Sequence, residues 1–256
     1  IYDIWAYIHI SGVREHEVYS FRAWDIDEVS TSYIWEGIER LMYKAAIFDM
    51  DGTILSTLDD LASGVDFALN ENGLPPRSKQ ETRAALGRGV RFLIEQSVPK
   101  GLSEAGISKV EEDFLKYYKV HSMDNTRPYD GIVELIKGLR ASGIKTAVVS
   151  NKIDSAVKEL CDNFFEGAFD IARGERPGIP RKPNPKPINA IIDKFGFSKD
   201  EVVYIGDSEV DLLTANNAEI DHIIVTWGFR DREFLEQNGA KTLVENMEEL
   251  KSNICK

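Results

Sequence analysis

Four polar clusters, each at the end of an apolar run or at the head of a helical one, have residue types that can do chemistry together. Asp49-Met50-Asp51-Gly52-Thr53 follows the apolar run at 45–48, and Gly206-Asp207-Ser208-Glu209-Val210-Asp211 follows another at 202–205. Two carboxylates one residue apart, with a glycine to turn the chain, are costly to hold without a positive partner. Mg²⁺ fits that role, because it takes oxygen ligands and keeps several waters. If the two clusters converge, three or four aspartates crowd one edge, and their repulsion calls for a cation. Each cluster alone also suits an acidic turn, and Asp211 alone suits a first-turn helix acid facing the dipole. Ser150-Asn151 ends a third apolar run and can hold a phosphate at a helix N-terminus or simply cap that helix. Arg181-Lys182-Pro183-Asn184-Pro185-Lys186-Pro187 is a stiffened basic loop that can aim a lysine at the acids, or lie on the surface.

These clusters need a scaffold that brings strand ends together. Short apolar runs occur at 45–48, 146–149, 169–172, 202–205 and 222–225. Between them lie stripes with helical spacing: Ile132, Leu135, Ile136, Leu139; Val157, Leu160, Cys161, Phe164; and Ile188, Ile191, Ile192, Phe195. Strands alternating with amphipathic helices predict an α/β fold with a buried parallel sheet, and such sheets collect functional groups beyond their strand carboxyl ends. Cys161 reads as a small core side chain. The chain between the first two runs is far longer than one crossover helix. Residues 57–126 carry helical patterns broken at Asn72-Gly73, Pro75-Pro76, Gly87–Gly89 and Pro99–Gly101, which predicts a four-helix insertion. His121, closing the stripe Val110, Phe114, Tyr117, Tyr118, reads as a packing residue. Gly138 to Thr146 misses a P-loop by one residue and follows a helix, and Gly87-Arg88-Gly89 lacks the third glycine of a dinucleotide fingerprint.

In this order the clusters resemble the haloacid dehalogenase superfamily over residues 44 to about 250. The Thr226-Trp227-Gly228-Phe229-Arg230 stretch and the Gly87-Arg88-Gly89 turn are most similar to its phosphoglycolate phosphatase branch. The resemblance implies a Rossmann-like parallel-sheet core at 42–56 and 127–256, with an inserted helical cap at 57–126. It implies Asp49 as nucleophile and Asp51 as acid/base. Mg²⁺ would sit on the Asp49 carboxylate, the Asp51 carbonyl and the Asp207 carboxylate. Ser150, Asn151 and Lys182 would hold the phosphoryl group, with Asp211 orienting Lys182 or metal-bound water. Lys182 rather than Lys186 begins the family's Lys-Pro-x-Pro pattern. Asp at position 51 sets the chain apart from the dehalogenase branch, and Ser56 stands where relatives often carry Asp or Asn. The implied activity is Mg²⁺-dependent hydrolysis of a small phosphorylated metabolite, 2-phosphoglycolate first among them. A phosphosugar mutase of the β-phosphoglucomutase type and a non-catalytic phosphate-binding protein are the competing readings.

Composition bounds the partners. The chain of 256 residues has 43 acidic and 31 basic side chains, a formal charge of -12, which disfavours nucleic acid and anionic membranes as partners. Two cysteines make no disulfide framework and fit a reducing, cytoplasmic setting. No apolar run is long enough to span a membrane, and residues 1–10 lack the basic start of a signal peptide. Residues 1–41 differ from the rest, with three of the four tryptophans, no lysine and no proline. They are expected to be an extension outside the fold, upstream of a natural start at Met42 or poorly ordered, with strand-like alternation at Tyr19, Phe21 and Ala23.

Overall fold

The computed structural model describes residues 43–255 and two short strands before them, β1 (Trp5–Ile8) and β2 (Tyr19–Arg22). These two pair antiparallel, with Trp5 opposite Arg22 and Ile8 opposite Tyr19, within a unit of their own, Ile1–Met42. The strand expected around Tyr19 is thus present. The expectations about the origin and order of the remaining residues up to 42 lie outside the described residues.

The unit from Tyr43 onward is built on a six-stranded sheet whose paired strands all run parallel. Its strands are β3 (Ala45–Phe48), β6 (Lys145–Ile153), β7 (Ile171–Glu175), β8 (Val202–Gly206), β9 (Asp221–Val225) and β10 (Leu243–Val244). They lie in the order β10-β9-β8-β3-β6-β7. This is the doubly wound arrangement, in which the chain reverses direction across the sheet at its first strand. A parallel strand covered on both faces must be apolar on both, and all four residues of β3 are buried. Ala46, Phe48, Val148 and Ile205 face one core with α5 (Ile132–Ala141), α6 (Asp154–Phe164) and α10 (Met247–Ile254). Ala45, Ile47, Val149 and Tyr204 face the other, with α7 (Lys186–Phe195) and α8 (Glu209–Ala218).

Two expected elements differ. The run at 169–172 enters the sheet only at Ile171, because Phe169 turns aside to pack edge-on against Phe48, ring centroids 6.2 Å apart. The edge strand β10 is two residues long, too short for any periodicity to announce it.

Between β3 and β6 the chain makes four helices: α1 (Leu58–Glu71), α2 (Lys79–Ala84), α3 (Val90–Ser97) and α4 (Glu104–His121). The four glycine and proline breaks fall in the three gaps between them. The helices share a separate apolar cluster of Leu61, Val65, Leu69, Ile94, Val110 and Phe114. The segments entering and leaving this insertion pair as β4 (Leu55–Ser56) and β5 (Arg127–Pro128), with Leu55 opposite Pro128. Asp60 reinforces that junction by accepting from Asn125 N at 2.9 Å, Asn125 Nδ2 at 2.9 Å and Thr126 N at 2.8 Å. His121 stacks on Tyr117 at 4.2 Å and pairs with Asp124. Burial pushes the Cys161 thiol up to about 12, in keeping with a core side chain.

Candidate active site

Register alone delivers three of the four clusters to one sheet edge. Phe48 lies opposite both Val148 and Ile205, so Asp49 and Asp207, each just past its strand, come to the same edge as Ser150, which β6 carries on to Ile153. The Asp49 N–H donates to the Ile205 carbonyl at 2.8 Å, which ties the first acid to the strand carrying the third. Lys182 arrives from the loop before α7. Its Nζ lies 2.8 Å from Asp49 Oδ1 and 2.8 Å from Asp211 Oδ1, and it donates to the Tyr204 hydroxyl at 3.0 Å. Lys186 is exposed at the start of α7, so Lys182 is the lysine of that loop that reaches the acids.

Asp211 resolves the two readings of its position by doing both jobs. Its Oδ2 accepts from Asp207 N at 3.2 Å, Ser208 N at 3.1 Å and Ser208 Oγ at 2.6 Å, capping α8, while Oδ1 holds Lys182 and accepts from Tyr204 OH at 3.1 Å. Asp207 accepts from Thr53 Oγ1 at 3.3 Å and from Phe229 N at 2.6 Å. Gly228 is required beside it: a Cβ there would sit 2.3 Å from Asp207 Oδ2 and 2.5 Å from the Gly52 carbonyl.

Asp49, Asp207 and Asp211 are all buried, with carboxylate oxygens within 4.8 Å of one another. Burial pushes the Asp49 carboxyl up to about 7; Lys182 opposes the rise and Asp211 adds to it. Asp207 is pushed well above the usual carboxylate range by burial, then by the charges of Asp211 and Asp49. For Lys182, burial disfavours the charge, but Asp211 and then Asp49 outweigh it and keep the ammonium protonated. Three carboxylates against one ammonium leave negative charge in excess. Asp49 Oδ1 also meets Lys182 only as an ion pair, with no donor aligned on it as a hydrogen bond. Three buried carboxylates crowded around a single ammonium are the setting in which a hard divalent cation fits.

Asp51 faces elsewhere. Its Oδ1 lies 2.9 Å from Lys152 Nζ, and Lys152 also donates to the Tyr118 hydroxyl of α4 at 2.8 Å. Sequence reasoning missed Lys152, although it directly follows Ser150-Asn151. Burial works against its charge, and Asp51 and Tyr118 more than compensate. Asn151 is engaged differently from the expectation. Its Nδ2 donates to the carbonyls of Gly87 (3.0 Å) and Lys182 (3.1 Å), and its Oδ1 accepts from Lys182 N at 2.8 Å. Its side chain therefore joins the insertion to the lysine loop in this conformation. Ser150 Oγ accepts from Lys152 N at 3.2 Å and lines the same cavity as Asp49 and Asp51.

Arg230, read from the sequence only as part of the 226–230 stretch, has a role that reading did not assign. It grips Glu209 (Nε to Oε2, 2.8 Å) and donates to the Arg83 and Leu86 carbonyls at the end of α2, at 3.2 and 3.0 Å. In return Arg83 donates to the Gly228 carbonyl at 3.0 Å. Together with Phe229, which packs into the insertion's apolar cluster, these contacts hold the helices over the carboxylates. The half-open cavity left between them is about 70 Å³, with Leu61, Leu86, Val90, Leu93 and Leu115 of the insertion on its wall beside Asp49, Asp51, Ser150 and Lys152.

A doubly wound sheet with this acidic edge is the frame of a known class. The chain belongs to the haloacid dehalogenase-like hydrolases, whose family model matches residues 46–225. A phosphoglycolate phosphatase of Agrobacterium fabrum is 32% identical over 202 residues, covering 77% of this chain and 86% of that protein. A crystal structure of a candidate phosphoglycolate phosphatase from Lactobacillus delbrueckii subsp. bulgaricus superposes with a TM-score of 0.79 at 38% identity, covering 83% of this chain and 98% of that one. An N-acetylmuramic acid 6-phosphate phosphatase of Pseudomonas aeruginosa is 27% identical over 215 residues, 83% of this chain and 95% of that protein. Alongside these relatives the chain is an enzyme, a phosphoric monoester hydrolase. Among the described residues no helix is long and apolar enough to cross a membrane.

Proposed function

We propose that the enzyme hydrolyses a small phosphomonoester, with 2-phosphoglycolate the first substrate, through an aspartyl-phosphate on Asp49. The observation that carries this reading is Asp49 and Asp51 opening into one small cavity, with Lys182 Nζ 2.8 Å from the Asp49 carboxylate. Attack by the Asp49 carboxylate forms an O–P bond and breaks the ester O–P bond, and Asp51 gives its proton to the departing alkoxide. Asp51 then takes a proton from water as that water attacks phosphorus, releasing phosphate and restoring Asp49. Splitting one slow hydrolysis into two displacements is what a carboxylate nucleophile offers.

Phosphoryl transfer asks mainly for alignment and for cancellation of charge on the equatorial oxygens. Lys182, held by Asp211 and Tyr204, supplies one positive charge beside the transferring group, and Ser150 can donate a neutral hydrogen bond to it. The Asp49 and Asp207 carboxylates and the Asp51 carbonyl would hold Mg²⁺. When bound, that ion supplies the remaining positive charge. The helices α1–α4 serve as the cap of the two-part arrangement of 42–56 with 127–256 and 57–126, excluding water from the cavity.

The wall of the cavity bears on which ester it takes, since Leu61, Leu86, Val90, Leu93, Leu115 and Phe229 line it. Its apolar wall offers little to sugar hydroxyls, which speaks for a phosphatase over a phosphosugar mutase. The relatives named as phosphoglycolate phosphatases point the same way. The test is phosphate release from a panel of phosphomonoesters with Mg²⁺, comparing wild type with Asp49→Asn. Turnover of 2-phosphoglycolate that falls at least about a thousandfold in the variant is expected. Equal turnover in both proteins refutes the nucleophile.

A further inference from the structure

We propose that Lys152 is the subsite for a second anionic group on the substrate, a carboxylate carried by the leaving alkoxide. The inference rests on the phosphatase reading above and names the chemistry by which that site selects its ester.

Among the charged side chains lining the cavity, Asp49 and Asp51 are acids and Lys152 is the one cation. Lys182 lies beneath Asp49 and is not part of this lining. The Lys152 ammonium is buried, with Asp51 and Tyr118 as its two hydrogen-bond acceptors. An ammonium has three N–H donors, so one remains for a ligand. The rest of the cavity wall is largely apolar, with Leu61, Leu86, Val90, Leu93 and Leu115 from the insertion and Phe229 in the same cluster. A buried cation in apolar surroundings gains most from an anion that comes without water.

Distances place that anion. Lys152 Nζ lies 2.9 Å from the Asp51 carboxylate. A hydrogen bond from that same Asp51 oxygen to the ester oxygen adds about 2.7 Å, which puts the ester oxygen within about 6 Å of Nζ. A carboxylate one methylene beyond the ester oxygen spans this gap and reaches hydrogen-bonding distance of Nζ. An alkyl ester of the same length would leave the ammonium facing a methyl group. The phosphoryl end is thus gripped by Lys182 and the carboxylate end by Lys152, with Asp51 between them.

The experiment compares kcat/KM for 2-phosphoglycolate and ethyl phosphate in wild type, Lys152→Gln and Lys152→Arg. A charge-assisted hydrogen bond corresponds to a roughly ten- to hundredfold preference for the carboxylate ester. Lys152→Gln is expected to erase that preference, chiefly through KM, and Lys152→Arg to keep part of it. A role confined to positioning Asp51 would slow both esters equally and leave their ratio unchanged, which overturns the proposal. Should Lys152→Gln not fold, wild type decides with 2-phosphoglycolate against its carboxyl methyl ester; parity between them overturns the subsite. Wild type that releases phosphate from neither ester refutes the phosphatase reading and the subsite with it. Wild type that hydrolyses both, with a ratio Lys152→Gln does not alter, refutes the subsite alone.

Discussion

Replacing Asp49, the proposed nucleophile, should make the metal-free protein more stable, and by an amount that depends on pH. The Asp49 carboxyl is raised from its ordinary 3.8 to about 7, burial being the main cause. A carboxyl with a raised folded-state value favours the folded state fully below pH 4, and that contribution is lost as pH rises towards 7. At about 1.4 kcal/mol per pH unit, the interval bounds the penalty at pH 8 near 4 kcal/mol. Relaxation and water entry in a metal-free site bring the expected value to about 2–3 kcal/mol. Asparagine has the shape of the protonated acid and carries no charge, so Asp49→Asn removes the penalty. The assay is urea denaturation of chelator-treated wild type and variant at pH 5, 6, 7 and 8. The variant should exceed wild type by about 2–3 kcal/mol at pH 8, with the gap closing towards pH 5. Added Mg²⁺ should raise wild type more than the variant, because the variant lacks one of the carboxylates proposed to hold it. A variant less stable than wild type at pH 8, or a gap that does not change with pH, would refute the account of these carboxylates as mutually repelling and desolvated.

Two further substitutions probe how the site is held. Asp60→Ala should cost about 2–4 kcal/mol in chemical denaturation, since it strips the acceptor from Asn125 and Thr126 at the junction of the insertion. Burial raises the Asp60 carboxyl, but the bonds from Asn125 and Thr126 outweigh it and hold the group below its ordinary value. Its contribution is therefore present above about pH 4 and lost as pH falls further, so the difference from wild type should be flat from pH 5 to 8 and shrink in acid; a difference that grows on acidification sinks this assignment. Gly228→Ala should push against Asp207 and Gly52, lowering the melting temperature by several degrees and Mg²⁺-dependent turnover more than proportionately. A variant with wild-type melting and turnover would mean that the loop yields freely.

Much of this protein was legible in the linear chain because its signals are local. Apolar runs of four or five residues and helical stripes define the alternation of strands and helices. A parallel sheet then obliges the acids after β3 and β8 and the serine in the last part of β6 to share one edge. Asp49, Ser150 and Asp207 were placed at that edge this way and Lys182 by its likeness to the family pattern, and the family match over residues 46–225 bears out the class they implied. The edge strand β10 and the true start of β7 were not legible, since two residues carry no period and Phe169 follows a tertiary contact rather than the ladder.

What only the tertiary structure decided is which polar side chains meet. Lys152 meets Asp51 across 101 positions of sequence and Tyr118 across 34. Arg230 reaches carbonyls at the end of α2 from 144 and 147 positions away. Asn151 spends its side chain on Gly87 and Lys182. Such pairs leave no periodic trace, because a lysine or arginine on a loop looks the same whether it ends in water or against a buried acid. Sequence thus determined the sheet edge and its acids, where backbone period and chain order suffice. The placement of the helical insertion over that edge, set by long-range packing and paired charges, determined which cation faces the cavity.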